Sequence, residues 1–272
     1  MGLRTSAALS GAIVLLVAGF VLSGALPALR GIGPWAFLTD PSWHPTEGTF
    51  GLLPMLVGTV LVTLGAVLVA APLGVLSALF VAWYAPGWVA GPYRRMVEVL
   101  AGVPSVVFGF WGLVVLVPLI AAVRPPGASL LAGVLIVALM VLPTVALLSA
   151  SAIEAVPREL VLGAAALGLG PAATVRGVVL PAARSGIIAS ILLATARALG
   201  ETMAVLMICG NVVQLPSSAF DPVRTLTANI ALEMAYAMGD HRSALFVCGL
   251  VLITFVLGLV LVAERTPGLL RA

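Results

Sequence analysis

The sequence has 272 residues, of which 62% are hydrophobic and only 8% are charged, and its mean hydropathy is +1.23. Soluble domains carry about 25% charged residues, so this composition excludes an ordinary soluble globular protein and indicates a polytopic membrane protein. The formal net charge of +3 is too small to indicate nucleic-acid binding. All 13 basic residues are arginines, which excludes a nucleotide-binding P-loop with its lysine and any chemistry on a lysine Schiff base.

Six apolar runs are long enough to cross a bilayer, which requires roughly 20 residues. The predicted spans cover residues 7–29, 53–83, 97–123, 130–153, 185–212 and 244–263. Prolines interrupt the third span (Pro104, Pro118) and the fourth (Pro143), which membrane helices tolerate when neighbours satisfy the freed backbone groups. The first run has one charge before it, as a signal peptide has, but its apolar core is too long for one, so we interpret it as a retained anchor.

The arginines orient these spans, because cytoplasmic segments are enriched in basic residues. With the N-terminus inside, eight arginines fall in inner segments, four in outer segments and Arg197 inside the fifth span. This arrangement predicts cytoplasmic termini, outer segments at 30–52 and 213–243, and an inner loop at 154–184. The predicted domains are an N-terminal transmembrane helix (1–34), an extracytoplasmic segment (35–52), a transmembrane domain (53–265) and a cytoplasmic tail (266–272).

Neither the histidines nor the cysteines indicate a metal site. His44 and His241 are far apart in polar connecting segments, which favours solvated loop residues, because a metal site needs several convergent ligands. Cys209 and Cys248 lie in apolar runs without a C-x-x-C spacing, which favours plain packing residues. We therefore predict no metal-binding residue.

The inner loop predicts two short helices around a glycine turn. Residues 164–167 favour helix and the stretch from Gly168 to Pro171 interrupts it. A second short helix fits residues 172–180 and is expected to end at Pro181. Such a pair is typical of a docking surface for another protein, and equally of an ordinary interfacial helix pair.

Arg197 and Glu201 interrupt the apolar fifth span in the stretch RALGETMAV. They are four residues apart, so on a continuous helix they would share one face within ion-pairing reach, near the middle of the span. Charged groups at that depth are costly and usually face a bundle interior or a wet cavity. A guanidinium suits carboxylate or phosphate oxyanions, with Glu201 as its resting counter-ion and Thr202 and Thr195 as added hydroxyl donors. The alternative is a structural ion pair that fixes helix packing.

Both features resemble the permeases of ABC importers. In the inner loop, Gly168, Val178, Leu180 and Pro181 have the spacing of that family's loop signature. Ala164 matches the second alanine of the signature's opening Glu-Ala-Ala, whereas Leu162 and Gly163 stand where its glutamate and first alanine usually are. The resemblance implies that this loop, with Ala164 and Ala165 in its first helix, docks into a separate ATPase subunit.

Longer stretches are similar to the C-type permease subunit of the phosphate-specific ABC importer rather than to its A-type sister. They include ARALGETMAVLMICGN, FLTDPSWHPTEGTFGLLPMLVGTVLVT (37–63) and VLAGVPSVVFGFWGLVVLVP (99–118). The resemblance implies an all-α membrane protein with six transmembrane helices and the ABC-importer permease fold, in a prokaryotic cytoplasmic membrane. It further implies that Arg197 and Glu201, with Thr202 beside them, act in phosphate translocation.

The implied partners are a sister permease subunit, two ATPase subunits, an extracytoplasmic phosphate-binding protein and membrane lipid. ATP and magnesium would bind to the ATPase, so this chain would hold no cofactor and no catalytic residue. One alternative is a permease for another oxyanion, such as sulfate or molybdate. A second is an intramembrane enzyme with Glu201 as general base, which needs another catalytic group within reach. A third is a structural or sensory subunit that does not line the path.

Overall fold

The computed structural model describes residues 2–265, with side chains described for residues 5–263, so the predicted tail at 266–272 lies outside the described residues. The helices are α1 (Gly2–Gly31), α2 (Pro34–Thr39), α3 (Leu53–Leu79), α4 (Gly87–Gly102), α5 (Ser105–Trp111), α6 (Val117–Ala121), α7 (Leu130–Glu154), α8 (Arg158–Ala166), α9 (Pro171–Thr174), α10 (Leu180–Leu199), α11 (Met203–Ile208), α12 (Leu226–Glu233) and α13 (Gly239–Arg265). Wider π-type turns occupy Phe80–Tyr84, Gly112–Leu116 and Val175–Val179, and a short 3₁₀ turn occupies Pro45–Glu47. Two antiparallel strands, β1 (Trp43–His44) and β2 (Thr49–Phe50), form a small hairpin that pairs Trp43 with Phe50.

Five helical stretches in the described chain are long and apolar enough to cross a membrane, and a bent pair makes a sixth if it counts as one span. The five are Thr5–Gly31, Leu53–Tyr84, Leu130–Glu154, Pro171–Leu199 and Gly239–Ala263. The all-helical membrane class is therefore confirmed. The fourth predicted span agrees with α7 to within one residue, because Ser129 caps the start of α7 by accepting a hydrogen bond from the Ala132 N–H.

The predicted third span, 97–123, is interrupted near Pro104 as its prolines indicated, but so sharply that its two parts do not form one straight helix. α4 and the helical stretch 105–121 meet at 93° across the break between Gly102 and Ser105. The break has a local cause, since Pro104 disfavours the helical conformation for the residue before it. Val103 is accordingly extended, with φ −67° and ψ 128°.

The predicted limits of the fifth span, 185–212, are also wrong. The helix begins earlier, at Pro171, and ends at Leu199. Pro181 does not end the preceding short helix, because the π-type turn at Val175–Val179 leads directly into the first turn of α10. Pro181 thus lies inside a continuous helix, and membrane helices tolerate such a proline where local widening of the helix satisfies the freed backbone groups.

Helices α3, α7 and α10 form the centre of the bundle, while α1 packs against α13 beside them. Two glycines of α3 allow close approach to α7. A Cβ on Gly65 would lie 2.7 Å from a methyl carbon of Val134, and one on Gly74 would lie 2.7 Å from the Cβ of Val145. Close approach through small residues is the usual way in which membrane helices associate.

The bundle has two different ends, which we call the α8 end and the α12 end. At the α8 end, Ile153, Val179 and Ala183 form a small buried cluster with the last turns of α3. At the α12 end, α2 and the β-hairpin pack with α12 and the ends of α1, α3 and α13 in a larger buried cluster. The two free cysteines, Cys209 and Cys248, are buried, as expected for packing residues.

Candidate functional site

Arg197 lies in the last turn of α10, and its side chain is exposed on the surface of this single chain. Its Nη1 donates a hydrogen bond of 3.5 Å to the hydroxyl of Thr144 on α7. Thr144 lies in the middle turns of the 25-residue α7. The guanidinium is therefore near the middle of the bundle's long axis, although it is at the end of its own helix.

Glu201 lies outside the helix, so the prediction of a helical Arg197–Glu201 pair is wrong. The chain turns at Gly200, a poor helix former, and Glu201 uses its carboxylate to accept a 3.0 Å hydrogen bond from the N–H of Ala204. That N–H is one of the donors that the start of α11 leaves without a helical partner. Among side chains of residues 5–263, no ion pair within 4.0 Å joins Arg197 to a carboxylate.

The two threonines predicted to donate to a substrate are occupied within the protein. The Thr202 hydroxyl donates to the carbonyl of Gly200 at 3.1 Å, and the Thr195 hydroxyl donates to the carbonyl of Ile191 at 2.8 Å. The break is also held from α12, where Thr227 donates a 2.7 Å hydrogen bond to the Glu201 carbonyl. This hydrogen bond connects α12 to the helix break that follows Arg197.

The stretches that follow the two helix breaks pack against each other. α5 packs along α11, where a Cβ on Gly109 would lie 2.9 Å from the Cα of Ala204. Further along, a Cβ on Gly112 would lie 3.3 Å from a methyl carbon of Ile208. These contacts advance in the same direction along both stretches, which therefore run parallel, and each stretch follows a break in its helix. Discontinuous helices that meet within a bundle are typical of substrate sites in transporters.

The glycine turn after α8 has a well-defined capping geometry. The Leu169 N–H donates to the Ala164 carbonyl at 3.1 Å and the Gly168 N–H donates to the Ala165 carbonyl at 3.0 Å. Gly168 between them has φ +75°, which glycine adopts without steric cost. These are the hydrogen bonds of a Schellman motif. A Cβ at this position would meet no atom within 4 Å, so lack of space is not the reason for a glycine here. Glycine is favoured because of the positive φ.

α8 and the turn after it expose large apolar side chains beside the charged Arg158 and Glu159. Leu162 is 67% exposed and Leu167, just after the helix, is 82% exposed, while Ala164 is buried. Ala165 and Pro181 are exposed, and Val178 and Leu180 are half-buried. Large exposed apolar side chains grouped on one short helix indicate a surface that another protein or the membrane covers.

A buried polar cluster at the α12 end was missed by sequence reasoning, and the prediction that His241 is solvated is wrong. One oxygen of Glu233 accepts a 2.7 Å hydrogen bond from Arg224. Its other oxygen lies 3.0 Å from the indole nitrogen of Trp43 and 2.8 Å from Nε2 of His241. Side-chain exposure is only 9% for Glu233 and 13% for His241. His44, by contrast, is exposed as predicted.

Arg224 connects this cluster to the loop after α11. It donates to the Asn229 side chain at 3.0 Å and to the Asn211 carbonyl at 2.9 Å. The partners are separated along the chain by up to 190 residues, so no local pattern indicated their association. Within the described part of the chain, no group of three or more His, Cys, Asp or Glu residues is placed to hold a metal ion.

Comparison with known proteins gives this architecture a family context. Residues 70–265 match the family described as "Binding-protein-dependent transport system inner membrane component". The probable ABC transporter permease protein YqgH of Bacillus subtilis is 42% identical over 75% of this chain and 67% of its own length. The phosphate transport system permease protein PstC of Mesorhizobium japonicum is 35% identical over 81% of this chain and 75% of its own length.

A solved structure shows the same fold at low sequence identity. The MetNI methionine ABC transporter in an inward-facing conformation aligns with a TM-score of 0.60 and 17% identity. The alignment covers 82% of this chain and 97% of that chain. The predicted permease fold is thereby confirmed.

Proposed function

Because this chain belongs to the family of inner-membrane components of binding-protein-dependent transport systems, we propose that it is the C-type permease subunit of an ATP-driven importer of inorganic phosphate. Several relatives that are 31–35% identical are phosphate transport permeases, which supports phosphate as the substrate. The relative from Bacillus subtilis, which is 42% identical, is described only as a probable ABC transporter permease, so the substrate requires a direct test.

The observation that supports the translocation role is the state of Arg197. Its guanidinium lies near mid-depth, is exposed on one side of the single chain, and pairs with no carboxylate in the described residues. A cation in that position has donors available for an anion, in a fork that matches phosphate oxygens. The adjoining sister permease would close the other side of the path. Glu201 and Thr202 contribute by shaping the break beside it.

The rest of the transporter supplies the energy and the substrate. Two ATPase subunits bind ATP and magnesium, and one of them docks on the surface of α8, around Ala164, Ala165 and Gly168, while the other docks on the sister permease. An extracytoplasmic phosphate-binding protein delivers phosphate at the α12 end. On this proposal the α8 end is cytoplasmic, in a prokaryotic inner membrane, and this chain performs transport without covalent chemistry.

The proposal is tested by Arg197→Gln in the complete transporter, with Arg95→Gln, an exposed arginine of α4, as the matched control. We expect Arg197→Gln to abolish uptake of radiolabelled phosphate while the complex still co-purifies, because the path loses its cation. Arg95→Gln should transport normally. Uptake by Arg197→Gln at the control rate would refute the translocation role.

The same preparation separates phosphate from other oxyanions. Excess unlabelled phosphate should suppress uptake of the labelled anion, whereas sulfate and molybdate at equal concentration should not. Transport of labelled sulfate or molybdate at rates above that of phosphate would instead support the alternative permease.

A further inference from the structure

Thr144 uses its hydroxyl differently from three other threonines in the long helices. Thr59, Thr195 and Thr254 each donate to the backbone carbonyl four residues earlier, at 2.7, 2.8 and 2.9 Å. Such back-bonding is the usual way in which a helical hydroxyl is satisfied. The Thr144 hydroxyl instead accepts a hydrogen bond from Arg197, and the described residues provide no acceptor for its own hydrogen.

The position of Thr144 is held firmly by its helix. The preceding and following residues, Pro143 and Val145, are both buried, and Val145 packs against Gly74 of α3. Thr144 itself is half-buried at the edge of the same surface as Arg197. The short Thr144 side chain is therefore fixed by its packed helix, whereas the long Arg197 side chain has more freedom. The contact between them restricts the position of the Arg197 guanidinium.

We propose that Thr144 is a further ligand of the anion path, which rests on the proposed function of Arg197. The hydroxyl oxygen accepts from the guanidinium and thereby orients it, while the free hydroxyl hydrogen donates to an oxygen of the passing phosphate. A hydroxyl can do both at once, since it has one donor and two acceptor lone pairs. The path is then formed by α7 as well as by α10.

The test compares Thr144→Val, which keeps the shape and removes the hydroxyl, with Thr144→Ser, which keeps the hydroxyl. Thr254→Val, on the exposed side of α13, is the matched control. The complete transporter is reconstituted in liposomes, and we measure phosphate uptake at saturating phosphate, ATP hydrolysis and co-purification of the subunits. Loss of one hydrogen bond to a charged group predicts roughly a tenfold to hundredfold lower uptake rate for Thr144→Val. Thr144→Ser should stay within about threefold of wild type, because the donor remains.

Two results would overturn the inference. Thr144→Val transporting like Thr254→Val would show that the hydroxyl is not needed, and Thr144→Ser failing as badly as Thr144→Val would show that packing matters instead. Arg197→Gln measured in parallel separates the two proposals. If it loses uptake while Thr144→Val does not, only the Thr144 inference is wrong. If Arg197→Gln transports normally, the proposed function is wrong and this inference with it.

Discussion

Replacing Glu233 with alanine removes the centre of the polar cluster at the α12 end. The change removes the carboxylate that pairs with Arg224, an arginine whose side chain is only 18% exposed. It also removes the hydrogen-bond partner of the Trp43 indole N–H and of the His241 ring. Breaking a buried ion pair by removing one partner costs about 3–5 kcal/mol. Arg224 keeps its hydrogen bonds to Asn229 and Asn211, so we expect a loss near the lower limit, about 3 kcal/mol.

The loss should appear as a lower melting temperature of the purified protein. For chains of about 150–250 residues, 1 kcal/mol corresponds to about 2–4 °C, which predicts a decrease of about 6–12 °C. The matched control is Glu154→Ala, which removes an exposed carboxylate that pairs with Arg94 at 3.0 Å. Surface pairs contribute about 0–1 kcal/mol, so the control should melt within about 4 °C of wild type.

Scanning fluorimetry in detergent, combined with size-exclusion chromatography to confirm the folded state, measures both variants under the same conditions. Glu233→Gln should fall between them, because the amide keeps the shape and one acceptor oxygen but loses the charge. If Glu233→Ala melts together with Glu154→Ala, the cluster does not stabilise this end of the bundle. The energetic reasoning from its burial would then be refuted.

Two further predictions concern the ends of the bundle. Gly168→Ala places a side chain at φ +75°, which costs about 1–2 kcal/mol, so we expect weaker ATPase binding in a pull-down. The control Gly163→Ala should bind normally, because a Cβ at that position inside α8 meets open space. Equal binding by the two variants would contradict a structural need for glycine at the turn. The Asp221 carboxylate accepts hydrogen bonds from the Ser217 hydroxyl and N–H and from the Ser218 N–H, which hold its pKa below the ordinary value. A lowered pKa stabilises the fold above the unfolded value of about 3.9 and stops doing so as the pH falls through the folded value. Asp221→Asn should therefore melt lower than wild type at pH 7, with a difference that shrinks below about pH 4; a difference that grows on acidification would reverse the assigned sign.

Much of the architecture follows from local properties of the chain. The apolar run that forms α7 is uninterrupted by charge, so its limits were predicted to within one residue. The glycine turn at Gly168 was likewise predicted, because only a few residue types tolerate a positive φ. Helix and turn signals of this kind depend on four or five neighbouring residues, so they can be recognised in the sequence alone.

The failures occur where neighbouring local signals compete. The spacing of Arg197 and Glu201 fits a helix, yet Gly200 between them weakens it and Glu201 finds the free N–H of Ala204. Pro181 looked like a helix end, yet a π-type turn before it lets the helix continue. In both cases the outcome depends on which backbone groups neighbouring segments satisfy, and spacing alone does not contain that information.

The membrane class and most of the spans could be predicted from the amino-acid pattern, because bilayer solvation acts on each segment separately. Which polar groups meet depends on how the helices pack: Arg197 contacts Thr144 instead of Glu201, and Glu233 contacts Arg224, Trp43 and His241. These contacts join residues up to 190 positions apart. Buried polar groups need hydrogen-bond partners, and which groups become partners depends on how the helices pack together.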